Sequence, residues 1–139
     1  MFKLLASIAF TFAAVSLGVH AQDEDQCNRF YTVQSGDTCD RIGKNEKAPS
    51  WQIRFENSDY INVDCTNLYP GESLCLGVVG RDCQLVHVVA AGETCDEIAA
   101  LSGLTPEGFQ HANWRAVGDD CSIYAGEVLC VDPAFAVTS

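Results

Sequence analysis

The chain is short of several things, and each shortage removes a class of explanation. It has no CxxC pair; the closest cysteines are separated by seven residues, which is not the spacing of a structural zinc site or a dithiol redox motif. It has eight Lys and Arg against nineteen Asp and Glu, a formal net charge of −11. No basic patch that neutralises phosphates can be built from that balance, which argues against nucleic acid and anionic membrane surfaces and favours a neutral or cationic partner. No Asn-x-Ser/Thr sequon occurs, so N-linked glycans are not expected. Three histidines in total, none beside a cysteine nucleophile, give no reason to expect a metal or cofactor. Beyond residue 21 there is no apolar run long enough to cross a bilayer.

The first residues read as a leader and not as fold. Lys3 gives a positive start, Leu4 to Val19 is apolar with small polar interruptions, and Val19-His20-Ala21 offers small residues at a signal-peptidase site. Cleavage after Ala21 is expected, leaving residues 22–139 secreted. All eight cysteines then lie in the mature part, and in an oxidising compartment an even number reads as four disulfides.

What fills the rest is one pattern written twice. Cys27, Cys39 and Cys65 recur 56 residues later as Cys83, Cys95 and Cys121, and Cys75 recurs as Cys130. Val33-x-x-Gly36-Asp37-Thr38-Cys39-Asp40-x-Ile42 returns as Val89-x-x-Gly92-Glu93-Thr94-Cys95-Asp96-x-Ile98. Leu68-Tyr69-Pro70-Gly71-Glu72-Ser73-Leu74-Cys75 returns as Ile123-Tyr124-Ala125-Gly126-Glu127-Val128-Leu129-Cys130. Self-similarity at a fixed period means two copies of one structural unit. The division expected is a polar lead-in at 22–28, modules at 29–76 and 83–131, a short linker at 77–82 and a loose tail at 132–139. Units of about 50 residues bury little core and need covalent help.

Within each copy the order reads β-α-α-β, an α+β module. Phe30–Val33 and Val86–Val89 are β-favourable. A Gly-acid pair turns the chain, and Thr38 and Thr94 stand where a helix N-cap belongs; Thr94-Cys95-Asp96-Glu97 is a capping-box pattern. The second copy is helical from Cys95 to about Ser102, with Ile98 and Leu101 on one face and Gly103 as the stop. Pro106 opens a second helix carrying Phe109 and Ala112; Pro49 plays that part in the first copy, with Trp51 and Phe55 on its core side at i, i+4 spacing. Asn57 and Asn113 read as residues that end the second helix by bonding backbone. Ser73–Leu76 and Val128–Val131 close the modules as strands. Antiparallel pairing of each module's two strands suggests the bridges Cys27–Cys75, Cys39–Cys65, Cys83–Cys130 and Cys95–Cys121, although spacing alone does not fix connectivity.

At this point the residues resemble a known family. Tyr31-Thr32-Val33-x-Ser35-Gly36-Asp37-Thr38, a helix pair ending near Asn57, and Leu68-Tyr69-Pro70-Gly71-Glu72-x-Leu74 look like a LysM domain. Val88-Val89-x-x-Gly92-Glu93-Thr94, Asn113 and Ile123-Tyr124-x-Gly126-Glu127-x-Leu129 look like a second. A leader and two such modules with four cysteines each resemble a secreted fungal LysM effector, which implies a βααβ fold and non-catalytic binding of chitin or chito-oligosaccharides. The resemblance also implies a site on one edge of each module, made by two loops. The first is Ser35, Gly36, Asp37 and Thr38 in one copy and Gly92, Glu93 and Thr94, opened by Ala91, in the other. The second is Ser58 to Asn62, with Asp59, Tyr60 and Ile61, and Trp114, Arg115, Ala116 and Val117 up to Gly118. The chain departs from the family pattern at Ser58 and Trp114, where proline is common, and at Gly43-Lys44-Asn45, where an apolar stretch is usual, so unequal binding by the two copies is expected.

The residues permit the same ligand without selecting it. Neutral acetamide-bearing sugars need close backbone approach, which Gly36 and Gly92 allow, and apolar surface, which Tyr60, Ile61 and Trp114 could supply. Asp96-Glu97 and Asp119-Asp120 are the tempting carboxylates for a glycosidase, but neighbours on one short element do not flank a cleft as that chemistry requires. Asp96 and Glu97 suit a helix N-terminus instead. Peptidoglycan binding, action on a host protein, a shared groove between copies and ligand-driven homodimerisation remain compatible with the sequence.

Overall fold

The computed structural model describes residues 26–137. The expected leader and cleavage site lie outside those residues, as do most of the lead-in and the last two residues of the tail.

The first module runs β1 (Cys27–Thr32), α1 (Cys39–Glu46), α2 (Ser50–Glu56) and β2 (Ser73–Val78). The second runs β3 (Val86–Val88), α3 (Cys95–Leu101), α4 (Pro106–Ala112), a one-turn α5 (Trp114–Val117) and β4 (Val128–Cys130). Each module pairs its two strands antiparallel, with Tyr31 opposite Leu74 and His87 opposite Leu129. The two copies are therefore disulfide-stapled βααβ units. All four bridges take the pairing that the strand argument suggested: Cys27–Cys75, Cys39–Cys65, Cys83–Cys130 and Cys95–Cys121.

The helices start where their caps dictate. Thr38 Oγ1 accepts from Arg41 N at 3.2 Å, and Thr94 makes the full capping box with Glu97. Thr105 caps α4 and puts Pro106 at its first position, whereas Pro49 is itself the N-cap of α2 and leaves it uncapped, because a proline ring carries no acceptor. Each module has its own core. Val33, Ile42, Ile53, Ile61, Leu74 and Leu76 fill the first; Val89, Ile98, Phe109, Val117 and Leu129 fill the second. Leu101 does not share the buried face of Ile98. It is 75 % exposed, and Ala99 takes the inward position, since α3 is covered along one narrow stripe.

The modules are docked against each other. β2 continues through Gly77 to Val78, and Val78 bridges back to Arg81, so the linker is a tight turn. Asp82 pins it: Arg29 donates Nε to Oδ2 at 2.7 Å and a terminal nitrogen to Oδ1 at 2.5 Å, and Gln52 Nε2 reaches Oδ1 at 3.1 Å. Buried Gln52 also donates to Leu76 O at 2.6 Å and accepts from Cys83 N at 3.0 Å. A side chain at Gly77 would collide with the Asp82 carboxyl, and one at Gly43 with Ala48 O, while meeting Val128 at ordinary contact distance. The glycine of the unusual Gly43-Lys44-Asn45 stretch thus lets the chain at Ala48 fold close over α1, and β4 of the second module packs beside it. Across the same seam Tyr124 OH lies 3.1 Å and 3.2 Å from the Asp40 oxygens, Ser50 Oγ donates to Asp40, and Val128 N donates to Ser50 Oγ at 3.2 Å. The segment after Asp132 is not loose over its described length. Pro133–Phe135 forms a 3-10 turn capped by Asp132, Phe135 packs against Ala112 and the Cys83–Cys130 bridge, and Phe135 O meets His111 Nδ1 at 3.0 Å.

Candidate functional site

The first loop is built alike in both modules. After β1 the chain turns at Gln34–Asp37, with Asp37 N donating to Gln34 O at 3.2 Å and Gly36 in the left-handed region at φ 83°. The Asp37 carboxylate folds back on the turn, and its Oδ2 accepts from Gln34 N and Tyr31 OH, both at 2.8 Å. In the second module Glu93 N donates to Ala90 O at 3.2 Å and Gly92 again has φ 83°. Glu93 Oε2 takes Ala90 N and His87 Nε2, both at 2.7 Å. The strand residue Tyr31 or His87 therefore braces the loop acid. The hydrogen bond from Tyr31 to Asp37 raises the Tyr31 hydroxyl pKa, and the bond to His87, helped by Ala90 N–H, holds the Glu93 carboxyl below its ordinary range. The pattern of the repeats contained this exchange, Tyr-Asp for His-Glu, but only the geometry shows the two changes to be one contact.

The second loop is tied to the same edge. Cys39, directly after Thr38, is bridged to Cys65 with the Cα atoms 6.0 Å apart; Cys95, directly after Thr94, is bridged to Cys121 at 6.3 Å. Residues 58–67 are further held by a web that the sequence did not announce. Asn62 N donates to Asn67 Oδ1 at 2.9 Å, Asn67 Nδ2 to Tyr60 O at 2.8 Å, and Asn62 and Thr66 exchange bonds at 2.8 Å and 2.9 Å. In the second module Gln110 Nε2 holds Gly118 O and Asp119 O at 3.2 Å and 3.0 Å.

The expected contact residues divide into three groups. Ser35, Gly36, Thr38, Asp59, Gly92 and Thr94 are exposed along this edge, with Asp37 and Glu93 half-buried behind them. Ile61 and Val117 belong to the two cores, and Ala116 is partly buried against the second, so these side chains offer little free surface on this edge. Helical turns after Asn57 and Asn113 rotate them inward, as the bonds from Ile61 N to Asn57 O at 2.9 Å and from Val117 N to Asn113 O at 3.1 Å show. Tyr60 is about half exposed, but its hydroxyl is committed to Asn57 Oδ1 at 2.5 Å, with Ser73 O at 3.3 Å.

Trp114 and Arg115 go elsewhere. Trp114 is 60 % exposed on α5. The Arg115 guanidinium lies 4.2 Å from the Trp114 ring centroid and 3.5 Å from that of Phe55, across the seam. Trp51 and Phe55, expected in the core, are half-buried at the seam instead, and Trp51 Nε1 donates to Asn113 Oδ1 at 3.2 Å. One carboxylate that tempted a catalytic reading has a structural partner: Glu97 Oε2 accepts from Thr94 N at 2.9 Å. Asp119 holds Gln110 through its backbone carbonyl, not its side chain. Among the described residues no group of three or more His, Cys, Asp or Glu could hold a metal ion.

The comparisons with known proteins agree with this architecture. The LysM domain family model matches residues 31–77 and 87–132, more than half of the chain. The chain belongs to the LysM domain family, which it represents twice. The chain is 30% identical over 128 residues to the secreted LysM effector Blys2 of Beauveria bassiana, covering 76% of this chain and 31% of that one. It is 28% identical over 127 residues to a secreted LysM effector of Pochonia chlamydosporia, covering 78% and 34%, and 28% identical over 129 residues to the secreted LysM effector LysM1 of Trichophyton rubrum, covering 76% and 50%. The matched regions span a third to a half of those relatives' own length.

Proposed function

We propose that this protein is a secreted, non-catalytic effector that binds chitin or its N-acetylglucosamine oligomers, and so withholds chitin fragments from a host or shields a fungal wall. One observation carries the reading. In both modules an acid-braced Gly turn leads into a capped helix whose first residue is disulfide-bonded to the loop that follows the second helix. Such an edge presents backbone donors and acceptors in a fixed array, and a neutral, acetamide-rich chain can use them without any basic charge. The relatives named as secreted effectors support extracellular action, and the pattern at residues 3–21 supports a cleaved leader. The loop and cap acids Asp37, Glu93 and Glu97 are spent on the backbone, which supports a binding role over hydrolysis. Two sites on one chain add avidity on a polymer without a tight single site.

Depletion by insoluble chitin tests this. The mature protein is expected in the pellet, released by soluble chito-oligomer and not by peptidoglycan fragments. Protein left wholly in the supernatant, or released better by peptidoglycan fragments, would overturn the chitin assignment.

A further inference from the structure

The turn before the closing strand is built alike in both modules. Tyr69 N donates to Glu72 Oε2 at 3.3 Å and Gly71 N to Val33 O at 2.8 Å; Tyr124 N donates to Glu127 Oε2 at 3.4 Å and Gly126 N to Val89 O at 2.8 Å. The surroundings of the two acids differ. Glu72 is half-buried, whereas Glu127 is 2 % exposed, because α1 and α2 of the first module pack over the start of β4. The next residue, Val128, turns its N–H away from the sheet and donates across the seam to Ser50 Oγ at 3.2 Å.

Glu127 is therefore a carboxyl that docking takes out of water. Tyr124 N gives it one long hydrogen bond, and among the described residues its carboxyl has no other hydrogen bond and no ion pair. The groups that face it are Tyr124 from its own turn, Asp40 from α1 and Arg54 from α2. Asp40 has the hydroxyl donors, Ser50 Oγ and the Tyr124 hydroxyl. With both acids ionised, two negative charges face one guanidinium at the seam; with a proton on Glu127 the charges balance. Burial, with Asp40 adding to it, raises the Glu127 carboxyl above its ordinary 4.5, against the pull of Tyr124 N–H and Arg54.

We infer that the contact between the modules is a proton-sensitive joint, tight while Glu127 is neutral and looser once it is ionised. The docked protein keeps this proton to higher pH than an exposed glutamate does. The stability that Glu127 gives to docking is therefore full below about pH 4.5 and is lost as pH rises through the higher docked value, the reverse of the Glu93 brace. Each disulfide lies within one module, so both modules stay folded when the seam loosens and their loop edges lose their fixed relation. None of this depends on what the protein binds.

Amide exchange of the oxidised protein from about pH 4 to about pH 7.5, corrected for the intrinsic pH dependence of exchange, tests the joint. Val128 N–H reports the seam, and Gly126 N–H, bonded inside the second module, is the reference. Val128 protection is expected to fall as pH rises, tenfold for every pH unit that separates the docked and free titrations of Glu127, while Gly126 protection holds. Glu127→Gln, which keeps an acceptor oxygen and cannot ionise, is expected to hold the acid level of protection throughout. Glu72→Gln, the same change at the turn outside the seam, is expected to keep the wild-type fall. Val128 protection that does not change with pH, or that falls equally in Glu127→Gln, overturns the joint. Carbon-13 titration of the wild-type carboxyls decides the same point without a variant: Glu127 titrating at or below its ordinary 4.5 also overturns it.

Discussion

Replacing Asn57 by alanine should be among the most damaging single changes in the first module, although Asn57 touches no proposed ligand. Its side chain acts as a substitute strand. Nδ2 donates to Cys75 O at 2.8 Å and to Ile53 O at 2.6 Å, while Oδ1 accepts from Cys75 N at 2.8 Å. Cys75 is opposite Phe30 in the sheet, and Asn57 satisfies the backbone groups that β2 turns away from that partner. The residue is 1 % exposed, so alanine leaves a buried N–H and a buried C=O of Cys75 without partners. At roughly 1–3 kcal/mol for each of the two orphaned groups, the loss is about 2–6 kcal/mol. For a domain near this size that lowers the melting temperature by about 10–20 °C. The assay is urea and thermal unfolding with the disulfides intact. Tyr60→Phe, which removes only the hydroxyl at 2.5 Å from Oδ1, should cost roughly 0.5–1.5 kcal/mol. A loss below about 1 kcal/mol for Asn57→Ala would refute the reasoning, because it would mean that water satisfies the strand edge as well as the amide does.

Other consequences can be checked alongside. Asn113→Ala removes the matching bonds to Cys130 and also the acceptor for Trp51 Nε1, so it should destabilise more than Asn57→Ala and shift Trp51 emission. The double replacement Cys39→Ser with Cys65→Ser releases a loop closed over 26 residues, costs about 3 kcal/mol, and should abolish sugar binding at the first module while leaving the second module's heat. The Glu93 carboxyl is held below its ordinary value of 4.5 by His87 and by Ala90 N–H. The stability it gives is therefore present above about pH 4.5 and lost as pH falls through its lower folded value; amide exchange at Ala90 should rise over that window, and Glu93→Gln should remove the transition. Burial pushes the Asp82 carboxyl up, but the Arg29 hydrogen bonds outweigh it and leave the pKa lowered. Arg29→Ala should accordingly cost roughly 2 kcal/mol near neutral pH and less once the pH has fallen through the lowered folded value of the Asp82 carboxyl, measured by denaturation.

The sequence made the module legible because its signals were local and repeated. Cys39 beside Thr38 and Cys95 beside Thr94 located a helix start twice, and strand pairing then brought Cys27 to Cys75 and Cys83 to Cys130. The same doubling concealed what differs between the copies. Ile61 and Val117 read as exposed loop residues, because one helical turn after the asparagine is invisible without its bonds. Trp51 and Phe55 read as core because their spacing is helical, yet the surface they cover belongs to the other module. The same holds for Arg115, for Gly43 against Val128, and for Tyr124 with Asp40. Contacts between residues 60 or more positions apart leave no period to read.

The central claim is that a neutral sugar chain is the ligand. Calorimetric titration of residues 22–139 with chitohexaose at low and high salt tests it most directly. Saturable heat that hardly changes with salt is the predicted result, because the loop edges offer backbone groups and do not rely on ligand charge. No heat from the fully oxidised protein, or heat that vanishes at high salt, would contradict it.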